Sequence, residues 1–385
     1  MLTITAQRLF TPTAEIELPI VQIEGRRILE VASRSERETR VTGSYLDLGD
    51  AVLAPAYIDL HIHGGASFDC MDDDPRALTA IESLLAKHGV GSYFPTTVTA
   101  SVDYTLGALE RLAKAIESSA TDTGARARPL GIHLEGPFIS HKRRGVHPEA
   151  ELLKPDLKSF DKFWQAARGH IKILTIAPEL DGALELISEA TRRGVCVSIG
   201  HTDADFATTR RALDFGARHA THTFNAMRPL GHRDPGVLGE VLTDGKVSAD
   251  IIADGIHLDP SIVKLFLAAK GAEKAVLITD AMAATGMADG HYHIGSLEVE
   301  VKDGKCTAGQ GTLAGSVLTL DKAVRNVMKY ADWELAPAVR LASSNPAAVV
   351  GLRNKGLLET GSDADIVVLD TKGNVRQTIL GGKVN

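Results

Sequence analysis

His61 and His63 stand one residue apart in the run Asp59-Leu60-His61-Ile62-His63. Side chains at i and i+2 share one face of a β-strand, so both imidazoles can point the same way. Four more residues of the same chemistry follow along the chain: Glu135 in HLEGPF, His201 in GHT, His222 in THT and Asp280 in ITDAM. Each closes a short apolar run. Imidazole nitrogens and carboxylate oxygens brought together form a donor set for zinc, iron, manganese or cobalt. A divalent metal lowers the pKa of its water from 15.7 toward about 7. A carboxylate beside it, here Asp280, can then take that proton and return it to a leaving group. Each residue also has a plainer reading: a strand-end histidine is commonly a hydrogen-bonded structural residue, and an aspartate can cap the next helix. Recurrence at equivalent strand ends favours the metal. His291 and His293 repeat the spacing inside HYHIGSLEVEVKDGKCT. No carboxylate is evident beside that pair, and it reads as a solvated strand face.

These residues need elements that deliver them to one place. Eight apolar runs recur, at 52–63, 91–98, 128–136, 172–179, 195–202, 219–226, 247–254 and 275–282. Helical patterns at 77–89, 104–119, 183–194, 205–216 and 260–271 separate several of them. All but one of these end at glycine, the preferred residue just past a helix C-terminus. Near-continuous apolar strands alternating with helices predict a parallel sheet buried on both faces. Eight such units over some 300 residues predict a (β/α)8 barrel. A doubly wound open sheet is the alternative, but it would concentrate function at one or two strand ends. Here polar residues close nearly every strand. Residues 285–312 break the rhythm with a hairpin expected to turn at Asp303-Gly304 and to extend from the barrel's top face. Short strands before residue 50 and after 355 are each too few to bury a sheet. Pairing them gives one small β-domain, a β-sandwich built from both termini (1–50 and 355–385), beside a catalytic barrel over 51–354. Two separate frayed edges are the other possibility.

Bulk composition narrows the function classes. The chain has 385 residues, 42 Lys and Arg against 49 Asp and Glu, and a net charge of −7. That balance argues against non-specific nucleic-acid binding. With 44% hydrophobic and 24% charged residues the mixture is that of a globular protein. Three widely spaced cysteines, Cys70, Cys196 and Cys306, exclude a disulfide framework and fit a reducing compartment. Arg8 and Glu15 interrupt the first residues before an apolar signal core can form. No apolar run nears the ~18 residues needed to span a bilayer. A cytoplasmic protein is expected.

The ordered motifs HIHGG, HLEGPF, GVHP, GHT, THTFNAM, DGIH, ITDAM, GTLAGS and GSDADIVVLD span the chain. Together they resemble the amidohydrolase superfamily, and most narrowly its N-acetylglucosamine-6-phosphate deacetylase family. No lysine closes the fourth run, where many relatives carry a carbamylated lysine. Glu135 resembles the carboxylate that replaces it. The resemblance implies Glu135, His201 and His222 as principal metal ligands, with His61 and His63 completing a second position in some members. One or two divalent ions per subunit are implied, zinc or iron first, with manganese or cobalt as alternatives. Asp280 matches the catalytic acid/base, and His147 a substrate contact able to donate to a developing oxyanion. Val146 and Asp254 fall in substrate-contacting motifs, and His257, Leu313, Ala314 and Gly315 resemble contacts along a sugar. Asn225 and Ala226 match a pair offering backbone N–H groups to phosphate. Arg233, in GHRDPG, resembles a phosphate-binding arginine contributed by the neighbouring subunit of a homodimer. Val146 and Ile256 depart from their motifs without touching ligand chemistry. The implied reaction is hydrolysis of the acetamide of N-acetyl-D-glucosamine 6-phosphate, giving D-glucosamine 6-phosphate and acetate. Hydrolysis of N-acyl amino acids or cyclic amides is the alternative. A non-catalytic binding barrel should have lost ligands that this chain keeps.

Overall fold

A computed structural model describes residues 1–35, 43–122, 124–309 and 311–384. Its centre is a ring of eight parallel strands: β1 (Tyr57–Ile62), β2 (Val90–Thr97), β3 (Ile132–Glu135), β4 (Ile171–Ile176), β5 (Cys196–Ile199), β6 (His219–Ala220), β7 (Ser248–Ile252) and β8 (Ala275–Ile278). Neighbours in sequence are neighbours in space, with registers such as Leu134 beside Leu174 and Leu174 beside Val197. The ring closes where Ile62 bridges Ala281 in parallel. There Asp280 N–H donates to the His61 carbonyl at 2.9 Å and His63 N–H to that of Ala281 at 2.8 Å. All residues of β1, β3, β5 and β8 are buried, as strands covered on both faces require. The barrel is thus the one the alternating pattern predicts.

Around it lie α1 (Ala77–Lys87), α2 (Val102–Ser119), α3 (Leu157–Ala166), α4 (Ala183–Arg192), α5 (Phe206–Asp214), α6 (Gly236–Thr243), α7 (Pro260–Lys274) and α8 (Leu320–Ala331). The side chains of Ser101, Asp156, Asp205 and Asp259 accept first-turn amides of α2, α3, α5 and α7. Gly89, Gly194 and Gly216 end their helices in left-handed backbone. Gly271 leaves helical geometry inside α7, with φ 66°. Among the described residues no helix is long and apolar enough to cross a membrane.

The run 52–63 is two strands rather than one. Val52–Pro55 joins a six-stranded sheet, in which it pairs in antiparallel fashion with Ile366–Leu369, while β1 begins at Tyr57. That sheet draws three strands from before residue 56 and three from after 365. A four-stranded sheet of Leu2–Thr5, Pro19–Glu24, Arg27–Ser33 and Ser44–Asp47 accompanies it. Ile4, Leu9, Val21, Leu53, Ile366 and Val368 share one apolar cluster between strands of the two sheets.

The expected single hairpin is larger. β9 (Gly290–Ile294), β10 (Leu297–Lys302), β11 (Lys305–Ala308) and β12 (Thr312–Leu313) form an antiparallel sheet of four strands. Asp303-Gly304, both with positive φ, join β10 to β11, and a second turn at Gly295 joins β9 to β10. His291 and His293 are exposed on β9. A carboxylate does stand there: Glu298 Oε1 is 3.4 Å from His291 Nδ1 at the surface.

Candidate active site

Six side chains meet at the C-terminal rim of the barrel. His61 and His63 come from the end of β1, Glu135 from the end of β3, and His201, His222 and Asp280 from just past β5, β6 and β8. The last three have left-handed backbone, with φ of 47°, 29° and 49°. Non-glycine residues adopt it sparingly, and such strain gathers at functional sites. Here each strand ends in a sharp turn that sends the side chain over the barrel axis. The turn after His201 is braced by Glu179, which accepts Thr202 Oγ1–H at 2.5 Å and Asp203 N–H at 2.6 Å.

The donors form two groups that share one carboxylate. Glu135 Oε1 lies 3.1 Å from His201 Nε2 and 3.0 Å from His222 Nε2, and those nitrogens are 3.1 Å apart. Glu135 Oε2 faces the other group, at 3.4 Å from His61 Nε2 and 3.2 Å from His63 Nε2. Asp280 Oδ1 completes it, 3.2 Å from His63 Nε2 and 3.6 Å from His61 Nε2. All six residues are buried except Asp280, whose side chain is 13% exposed.

Hydrogen bonds fix two tautomers. His201 Nδ1–H donates to the Arg143 carbonyl at 2.9 Å, so its Nε2 lone pair faces Glu135 and His222. His147 Nδ1 accepts from Thr99 N–H at 3.3 Å and lies 2.7 Å from Thr99 Oγ1. Its proton is therefore on Nε2, which points into the site 3.6 Å from Glu135 Oε2.

The electrostatics follow from burial and close packing. Burial alone would raise Asp280 and Glu135. The imidazoles of His61 and His63 hold Asp280 well below the usual carboxylate range, and His61, His147, His201 and His222 do the same for Glu135. Burial pushes His201 down to about 4 in spite of Glu135. His222 feels the same burial, but the Glu135 hydrogen bond lifts it to about 9. His63 rises well above the ordinary histidine value because bonds to Asp280 and Glu135 outweigh its burial. The centre thus holds two ionised carboxylates packed among imidazoles.

A cavity of about 360 Å3 opens above these residues. His147 and Val146, Asn225 and Ala226, His257, Leu313 and Gly315 line it. Other expected residues stand apart from this wall. His61 is fully buried, its Nε2 3.2 Å from that of His63. Asp254 sits behind His257, accepting its Nδ1–H at 2.6 Å and two backbone amides. Ala314 is fully buried in the cluster under β9–β12. Arg233 is exposed and does not line the cavity of its own chain. The Asn225 N–H is bonded to the His222 carbonyl at 2.9 Å. The free group on Asn225 is its side-chain Nδ2, buried without a partner among the described residues. Lys142 and Arg143 also line the cavity, both bonded to Asp203, at 2.6 and 2.8 Å. The basic run HKRR was a visible signal for them.

An eight-stranded α/β barrel with histidines and carboxylates at the C-terminal rim is an arrangement suited to metal-assisted hydrolysis. The chain belongs to the amidohydrolase family, whose sequence profile matches residues 52–384. It is 39% identical over 333 residues to the N-acetylglucosamine-6-phosphate deacetylase of Lysinibacillus sphaericus, covering 86% of this chain and 85% of that one. It is 38% identical to the N-acetylgalactosamine-6-phosphate deacetylase of Escherichia coli O157:H7, over 86% of this chain and 87% of that one. Among solved structures it superposes on a mutant N-acetyl-D-glucosamine-6-phosphate deacetylase of Mycobacterium smegmatis in complex with N-acetyl-D-glucosamine-6-phosphate. The TM-score is 0.91 at 34% identity, covering 100% of this chain and 98% of that one.

Proposed function

We propose that the chain hydrolyses the acetamide of N-acetyl-D-glucosamine 6-phosphate to D-glucosamine 6-phosphate and acetate, as a metal-dependent cytoplasmic homodimer. The observation that carries the chemistry is Glu135, which gives one oxygen to each of two donor groups.

The residues fit divalent ions. Donors around a tetrahedral ion with bonds of roughly 2.0–2.1 Å stand about 3.3 Å apart. The separations of 3.0–3.1 Å around Glu135 Oε1 are close to that edge, and so are those of 3.2–3.4 Å around Oε2. Glu135, His201 and His222 would hold the principal ion, and His61 and His63 with the other oxygen of Glu135 a second. Zinc or iron suits this nitrogen and oxygen set, and manganese or cobalt is compatible with it. A bound divalent ion supplies Lewis-acid polarisation of the acetamide carbonyl and a nucleophilic water at neutral pH.

The chain's own groups do the rest. Asp280, ionised at the rim, takes a proton from the attacking water as the new C–O bond forms. It then gives that proton to the sugar nitrogen as the C–N bond breaks. His147, with its proton on Nε2, donates to the oxygen that becomes negative. The unpartnered Asn225 Nδ2 and the His257 ring held by Asp254 supply polar contacts to the sugar phosphate. Arg233, exposed and away from its own cavity, is free to enter a partner subunit's site. Three buried, unpaired cysteines fit a reducing compartment.

The test is acetate release from N-acetylglucosamine and N-acetylgalactosamine, each with and without 6-phosphate, on metal-quantified protein. Turnover of the phosphorylated sugars, abolished by chelation and restored by a divalent ion, is the expected result. Full turnover by verified metal-free protein overturns the metal role. An N-acetyl amino acid added to the panel should release little acetate, and faster turnover of it than of the phosphorylated sugars would overturn the substrate.

A further inference from the structure

Behind the cavity, His219 on β6 and Asp250 on β7 form a pair that the proposed chemistry leaves without a task. Both are about 1% exposed. His219 Nδ1 lies 2.8 Å from Ser248 Oγ, which is 3.2 Å from the Arg218 carbonyl. His219 Nε2–H donates to Asp250 Oδ2 at 2.8 Å. The ring therefore sets the plane of the carboxylate. Its other oxygen, Oδ1, accepts the backbone N–H of His222. The Asp250 carbonyl accepts the next amide, Thr223 N–H, at 2.8 Å. One residue thus holds two successive amides at the turn where His222 has φ 29°.

The way His222 is aimed differs from that of its neighbour. The His201 ring is held from behind by the Arg143 carbonyl. The His222 Nδ1 is buried and has no partner among the described residues. Imidazole ligands ordinarily owe their aim to a bond at the second nitrogen. Among the described residues no such bond reaches His222, and the contacts that hold it from behind are at its backbone. We propose that Asp250, oriented by His219, is a positioning residue that aims His222 by clamping its strained backbone turn. The inference rests on the reading of His222 as a metal ligand.

Metal affinity measured by chelator competition tests it, with melting of the metal-free proteins as the check on folding. His222→Ala should lose affinity. Asp250→Glu keeps the charge but displaces the oxygen by a methylene, and should bind metal 10–100-fold more weakly, on the order of other losses behind a ligand. Asp250→Asn keeps the acceptor in place without the charge, and should stay within about threefold of the parent, since an amide oxygen still accepts the His222 N–H. His219→Gln keeps a donor but loses the rigid ring, and should weaken binding roughly 3–10-fold. It serves if Asp250→Glu does not fold. Unaltered affinity in whichever of these two variants folds, beside a clear loss in His222→Ala, overturns the inference alone. Weaker binding by Asp250→Asn than by Asp250→Glu also overturns it, because charge rather than position would then be what matters. No loss in His222→Ala overturns the ligand reading and this inference with it.

Discussion

The chain contains two His-x-His pairs on β-strands, and they have opposite fates. His61 and His63 end β1, buried, facing Glu135 and Asp280 at 3.2–3.6 Å. His291 and His293 lie on β9 with the same alternation, and the His291 side chain is 70% exposed. Glu298 is equally close at hand there, so the presence of a carboxylate does not separate the two. The difference is what surrounds the pair. On the rim the closed barrel buries the pair, and four other strands bring further donors to the same point, whereas on β9 water competes for every contact. Spacing puts two rings on one face, and closure of the barrel is what turns that face into a site.

Predictions can sharpen this contrast or break it. The largest effect is expected at Asp280. Asp280→Asn keeps the shape but cannot accept a proton, and kcat should fall 10²–10⁴-fold. Metal bound by Glu135, His201 and His222 should remain, as metal analysis of the purified variant will show. Near-parental kcat would place the acid/base elsewhere.

Arg233 is the case most able to break the rule that exposed residues are idle. A charge-assisted bond to phosphate contributes about 1.5–3 kcal/mol. Arg233→Ala should therefore raise KM for the phosphorylated sugar roughly 10–150-fold and leave that for the unphosphorylated sugar nearly unmoved. Mixing this variant with Asp280→Asn should restore part of the activity through heterodimers in which one site is intact. If heterodimers form without recovery, the shared-site arrangement is wrong.

A buried carboxylate away from the rim gives the next effect. Glu135 is held ionised by imidazoles, but burial pushes Glu82 up to about 7, with Arg126 3.7 Å away. The folded chain binds that proton more tightly than the unfolded one. Stability from this group is therefore present at low pH and is lost as pH rises from about 4.5 through 7. Glu82→Gln escapes the loss, and its advantage over the parent should grow by something on the order of 2 kcal/mol between pH 5 and 8. Denaturant melts at the two pH values measure it, and an unchanged difference would refute the assignment. The smallest effect is expected on β9. Alanine at both His291 and His293 should leave kcat/KM within about twofold and stability within about 0.5 kcal/mol.

Much of this was legible in the sequence because the barrel writes its period into it. Buried strands read as apolar runs, and the chemistry sits where each run stops. Three of the eight helices named around the barrel escaped that reading, α3, α6 and α8. α3 has Phe160, Phe163 and Trp164 at helical spacing behind an Asp156 cap, a signal that was there to use. α6 is apolar nearly all round and shows no face. The split at Pro55 was hidden because one unbroken apolar run serves both a sheet and the barrel. The clamp on His222 could not be read at all. Asp250 lies 28 residues beyond it, and only the pairing of β6 with β7 makes them neighbours.

The strand Val52–Pro55 leads directly into the barrel, yet its partner Ile366–Leu369 is made about three hundred residues later. A chain emerging from the ribosome can pair Val52–Pro55 with Arg8–Phe10 on one side, but must leave its other edge open until almost the whole barrel exists. Contacts so distant in sequence form slowly, and an open apolar strand edge invites pairing with other chains meanwhile. Losing the last strands should thus harm yield through aggregation during synthesis, although none of them touches the chemistry.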